Sequence, residues 1–215
     1  MDQTPRRWLQ ALGWAVVLGV VALLTNLTTV AQHSGADPTL LAVRFSISRV
    51  ANAGVVWAGI SVLAGWIVRR PWQACLAGLA AGELALATHY GLGRLLAAPT
   101  SVVEGNEMWF LAAALCGAPL GLVGALVRHR GLLGRLAGCV VPVGAIAEPF
   151  VRGSFTMPAI LPWPDRVSSV ASGVVLLVGG LLMLVLTWRW QSEHRRVRDA
   201  APIGNNPEKT MVESM

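Results

Sequence analysis

The chain has 215 residues, of which 54% are hydrophobic and only 13% charged, with a formal net charge of +6. Soluble domains carry about 25% charged residues, so this composition excludes a water-soluble fold and indicates an all-α, polytopic membrane protein. The positive charge does not indicate nucleic acid either, because twelve of the seventeen basic residues fall on one side of the apolar spans described below. That asymmetry is a topology signal.

Six apolar spans are expected, at residues 8–31, 47–68, 72–97, 107–127, 132–149 and 168–188. Each is 18–26 residues long, enough to cross a hydrocarbon core of about 30 Å at about 1.5 Å per residue. The basic residues before span one, between spans two and three, between four and five, and after six place both termini in the cytoplasm. The expected organisation is one membrane domain over residues 1–190 and a disordered cytoplasmic tail over 191–215.

Span one follows Arg6-Arg7 but lacks a small-residue cleavage site at Thr25-Asn26-Leu27-Thr28-Thr29, so it reads as a retained helix. Asn26 lies near its outer end. Span two is read as continuous and carries Arg49 and Asn52 on one face, followed by Trp57. Arg69-Arg70-Pro71-Trp72 forms a tight inner turn, with Pro71 suited to opening the next helix.

Span three holds Glu83 near its middle. An acid there costs about 2.5–3.5 kcal/mol to insert and ordinarily faces a partner or a water-filled cavity. Glu83, Tyr90 and Arg94 stand at i, i+7 and i+11 and share a helical face. His89 is rotated about 120° from Glu83 and aligns with Gly82 and Gly78, on the expected packing face. A histidine there is more often a helix-to-helix hydrogen-bonding group than a catalyst.

Span four opens at Asn106, Glu107 and Trp109 and contains Gly117-x-x-x-Gly121 with Pro119 inside it. Small residues at this spacing let helix backbones approach closely, and the proline is expected to kink its helix. Span five contains Pro142 and ends at Glu148-Pro149. The outer connections are 32–46, 98–106 and 150–167. The last carries three prolines among Phe155, Ile160, Leu161 and Trp163, and reads either as a lid over an outward cavity or as an interfacial belt. The three cysteines, Cys75, Cys116 and Cys139, all fall inside spans without metal-ligand spacing. No disulfide, metal site or cofactor is expected.

The runs Val50-Ala51-Asn52-Ala53-Gly54-Val55-Val56-Trp57, Met108–Gly121 and Ala147-Glu148-Pro149 resemble an uncharacterised family of small actinobacterial six-helix integral-membrane proteins. The likeness covers about residues 46–150. His89-Tyr90 departs from it, standing where paired aromatics are expected. It implies a multi-pass protein of the bacterial plasma membrane and supplies no activity. In plan alone, the chain is similar to the substrate-binding subunits of energy-coupling-factor transporters, without their substrate-specific motifs.

The polar residues concentrate at or above the expected midplane, which suggests a polar pocket opening outward. Asn26, Arg49, Asn52, Trp57, Glu83, Tyr90, Arg94 and Trp109 are the candidate ligand-binding residues. Three functions follow from this. One is capture or transport of a small solute. Another is a membrane-embedded enzyme on a lipid or isoprenoid, with acid catalysis by Glu83. The third is a non-catalytic accessory or immunity subunit binding other membrane proteins. The partners implied are the lipid bilayer, a small-molecule or lipid ligand and other membrane subunits, with no nucleic acid.

Overall fold

The computed structural model of the chain describes residues 3–27, 37–96, 105–129 and 131–199. They form seven helices: α1 Thr4–Asn26, α2 Pro38–Ala51, α3 Gly54–Val68, α4 Pro71–Leu95, α5 Glu107–Leu126, α6 Leu132–Val151 and α7 Trp163–Asp199. Among the described residues there is no strand. Residues 28–36, which include Thr28 and the start of the expected 32–46 connection, 97–104, which cover most of the expected 98–106 connection, Arg130 and the tail from 200 onward lie outside the described residues.

Among the described residues, α1, α5, α6 and the stretch Trp163–Arg189 of α7 are long and apolar enough to cross a membrane. The pair α2–α3 passes the same test but is bent by 41°. The fold is thus that of a helical, multi-pass membrane protein with four to five candidate spans. α4 has 25 residues and is about 37 Å long by its rise. Glu83, His89 and several glycines dilute its apolar content.

Span two is where the expectation of one continuous helix fails. Asn52 and Ala53 leave helical geometry, Ala53 with an extended backbone (φ −66°, ψ 139°), and α3 restarts at Gly54. α2 in turn begins nine residues before the expected start, at Pro38, where the Asp37 carboxylate accepts from Leu40 N–H at 2.9 Å. The other surprise is at α7. It opens at Trp163, ahead of the expected start at 168, because Pro164 fits a first helical turn. The helix then continues to Asp199. Pro119 and Pro142 are accommodated inside continuous helices.

The centre is built from alanines. Ala11 and Ala15 of α1, Ala64 of α3, and Ala77, Ala81 and Ala85 of α4 are buried together, ringed by Trp8, Leu18, Trp57 and Leu84. α3, α4 and α5 are closer still at one end. A Cβ on Gly65 would strike the Gly121 carbonyl, one on Gly78 the Gly117 carbonyl, and one on Gly124 the Val62 carbonyl. Glycine is required there because backbones meet without side chains between them.

This glycine seam lies at the end where basic residues gather. Arg128 donates from Nε to the Trp66 carbonyl at 2.8 Å and lies over the Trp66 ring, 4.1 Å from its centroid. Burial, then repulsion from nearby Arg69 and Arg7, pulls its pKa below the ordinary arginine value. Arg69 ends α3 with φ 76°, a left-handed conformation that lets α4 start two residues later at Pro71.

Candidate functional site

At the opposite end, the break between α2 and α3 organises the polar residues. α3 is 15 residues long, about 22 Å, so its N-terminus falls short of a full crossing. The first N–H groups of a helix have no partner within it, and leaving them bare in an apolar medium is costly. Glu148 of α6 supplies the acceptor. Its Oε1 accepts from Gly54 N–H at 2.7 Å and its Oε2 from Val55 N–H at 2.8 Å. The carboxylate therefore caps a helix of another segment, where the helix dipole also favours negative charge. Arg152, one turn further along α6, pairs with Glu148 at 3.1 Å.

Asn52, at the break, is fixed from the other side. Its Nδ2 donates to Asn26 Oδ1 of α1 and to the Ser48 carbonyl, each at 2.9 Å. Ser48 Oγ donates to the same Asn26 oxygen at 2.6 Å. Both donor hydrogens of the Asn52 amide are thereby used. Its Oδ1 has no partner among the described residues.

Beside this break, α3, α4 and α5 diverge around a cavity of about 380 Å³. Trp57 and Ala58 of α3, Leu86 and Tyr90 of α4, and Trp109, Ala113 and Leu120 of α5 are among its walls. Gly117 of the seam also lines it. The hydrogen-bonding side chains in the lining are Asn52, Ser61, His89, Tyr90, the Trp109 indole N–H and the Cys116 thiol, and no aspartate, glutamate, lysine or arginine is among them. Ser61 is already committed, donating to the Gly78 carbonyl at 2.9 Å.

The aromatic groups interlock. The His89 ring meets Trp57 edge-on at 5.8 Å and Tyr90 edge-on at 5.0 Å, and Tyr90 lies 5.7 Å from Phe110. His89 is 4% exposed and its Nδ1 has no hydrogen-bond partner among the described residues. The Tyr90 hydroxyl likewise has no hydrogen-bond partner among the described residues.

Four of the eight candidate residues, Asn52, Trp57, Tyr90 and Trp109, line this cavity. The other four do not. Asn26 stands behind Asn52 as its acceptor. Arg49 turns to α7, donating to Asp165 Oδ1 and to Ser168 Oγ, both at 3.2 Å. Arg94 is exposed. Glu83 is half-buried on the outward flank of α4 shared with exposed Leu76 and Ala87, with no hydrogen bond or ion pair to a described residue. In place of the expected outward-opening polar pocket with Glu83 among its lining, the helices enclose a mostly apolar cavity one helical flank away from Glu83. Helical phase correctly grouped Glu83 with Arg94, but Tyr90 sits at the edge of that sector and turns inward.

Sequence reasoning missed Ser61 and Cys116 as lining residues, and gave His89 only its packing role. It also missed that Glu148 and Gly54 belong to one structure. The signal for that pair was an Asn-Ala-Gly sequence inside an apolar span together with a buried-side acid elsewhere. No residue of 150–162 lines the cavity. Phe155 packs instead against Gly173 of α7. Among the described residues no group of histidine, cysteine or acidic side chains is placed to hold a metal ion.

No protein-family model matches the chain, and no curated protein or solved structure is significantly similar to it. What the fold and the cavity define is a class: a polytopic helical membrane protein.

Proposed function

We propose that the chain is a six-span protein of the bacterial plasma membrane that binds a small molecule in the cavity between α3, α4 and α5. The bent pair α2–α3 counts as one span and α4 as another. Support for α4 comes from its length and its burial against α1, α3 and α5. Both termini lie on the basic side, which the positive-inside rule assigns to the cytoplasm, so the cavity belongs to the outer half. The resemblance to small six-helix membrane proteins agrees with this plan, and two of its segments, around Asn52-Gly54 and Glu148, meet in space.

One observation carries the reading. The cavity is apolar-walled, of a size that suits a small ligand, and has few polar groups converging on it. Transport remains a role the same site would serve with partner subunits. Acid catalysis by Glu83 is not proposed, since its carboxyl lies off the cavity.

The test is thermal stability of the purified protein against a broad panel of solutes and lipids. Stabilisation by a panel member, abolished by filling the cavity with Ala113→Phe, is the expected result. Absence of stabilisation by every member overturns the reading.

A further inference from the structure

We infer that the ligand of this cavity is a neutral, lipid-soluble molecule with a hydroxyl head group, entering sideways from the bilayer. The inference rests on the proposed binding role and specifies its ligand class.

The route is read from α5. Trp109, Ala112 and Cys116 line the cavity and are also exposed. They occupy one flank of the helix over seven residues, about 10 Å of rise. Cys116 is halfway along Glu107–Leu126. A cavity still open at that depth of a spanning helix opens to hydrocarbon, so a lipid-soluble molecule reaches it without crossing an aqueous mouth.

The head group is read from the unused hydrogen-bonding capacity, to which the buried His89 Nδ1 also belongs. The Tyr90 hydroxyl is a free donor. Asn52 presents a free acceptor, because its amide hydrogens are held by Asn26 and the Ser48 carbonyl. A ligand hydroxyl both accepts and donates, so it is able to pair with Tyr90 as an acceptor or with Asn52 as a donor. Buried polar groups left unmatched are penalised, so a hydrocarbon without a head group binds less well. An anion is rejected for a different reason. Among the described residues no lysine or arginine lines the cavity, and a phosphate would be desolvated without a permanent counter-charge.

The test uses one chain with three heads: farnesol, farnesyl phosphate and farnesene. Cys116 is the reporter, in a Cys75→Ala/Cys139→Ala background reconstituted in lipid nanodiscs, and its rate of maleimide labelling is measured. Farnesol is expected to slow labelling, farnesyl phosphate to leave it unchanged, and farnesene to protect roughly three- to tenfold more weakly. Tyr90→Phe should weaken farnesol protection by a similar factor and leave that by farnesene unaltered. It removes no hydrogen bond within the protein, and an unchanged melting temperature verifies its folding.

Equal protection by farnesene, or protection by farnesyl phosphate, overturns the hydroxyl assignment while leaving a binding cavity in place. Protection by water-soluble panel members alone overturns the lipid-soluble class and again leaves the cavity reading standing. Protection by nothing in either set sinks both.

Discussion

The two ends of the α3–α4–α5 trio solve opposite problems with the same helices. At the basic end, Gly65, Gly78, Gly117, Gly121 and Gly124 bring three backbones into contact. About two to four turns away, Trp57, Tyr90 and Trp109 hold the helices apart around the cavity. Without a hydrophobic drive between helices in lipid, association depends on close packing. A seam concentrated at one end is therefore what allows the other end to stay open. Residue size along each helix, rather than polarity, sets where the cavity lies.

The harshest way to break this contrast is to put a branched side chain into the seam. Gly121→Val would drive its Cβ into the Ala74 carbonyl, with the Gly78 backbone just beyond. Both neighbours are main chain and have no rotamer to change. Overpacking ordinarily costs about 1–3 kcal/mol, and here the expected cost is above that range. Loss of the monodisperse species on gel filtration in detergent is the measurement. A stable, well-behaved Gly121→Val protein would mean that the helices do not meet at this seam.

A finer comparison uses two glycines one turn apart on α4. Gly78→Ala meets the Gly117 carbonyl and should cost about 1–3 kcal/mol. Gly82→Ala meets only Ser61 Oγ at 3.3 Å and Ala113 Cβ at 3.4 Å. The better helix propensity of alanine, worth up to about 1 kcal/mol, offsets that squeeze. The second variant should melt within a few degrees of the wild type and the first well below it. Equal melting temperatures would erase the distinction between seam and cavity.

The cavity end has its own structural dependency at Glu148. Glu148→Ala leaves Gly54 and Val55 N–H without acceptors, at an expected cost of about 1–3 kcal/mol. Glu148→Gln keeps one acceptor oxygen and should recover part of that loss. Thermal denaturation of the two variants checks the order. If Gln is no better than Ala, the side chain does not cap α3.

How much of this was legible follows from what each signal encodes. Helix content and four to five of the six expected spans were readable because long apolar runs impose them. Charge counting also found Arg7, Arg69 and Arg128 on one side, and they meet at one end of the fold. The glycine pairs marked close packing before any contact was known. What the sequence hid was which sector of α4 its neighbours cover. Glu83 and His89 differ by a rotation that any helical wheel gives, but only the positions of α1, α3 and α5 decide which of them faces the cavity. The break at Asn52–Ala53 was hidden for a related reason. An apolar run with one asparagine and one glycine is compatible with a continuous helix until a carboxylate from another segment arrives to satisfy the new N-terminus.

The smallest expected effect concerns the link between α2 and α7. Arg49 and Asp165 are paired at 3.2 Å with side chains 28% and 33% exposed. In an aqueous setting such a pair couples by only about 0.2–1 kcal/mol. Arg49 Nε also donates to the fully buried Ser168, so the single substitution Arg49→Ala removes more than the ion pair. A double-mutant cycle with Asp165→Ala isolates the pair itself. The coupling is expected to stay below about 1 kcal/mol, because both side chains are about a third exposed. A coupling several times larger would place this contact in a low-dielectric medium. The bend at Asn52 would then lie well inside the hydrocarbon, and the cavity beside it would be deeper than the helix lengths indicate.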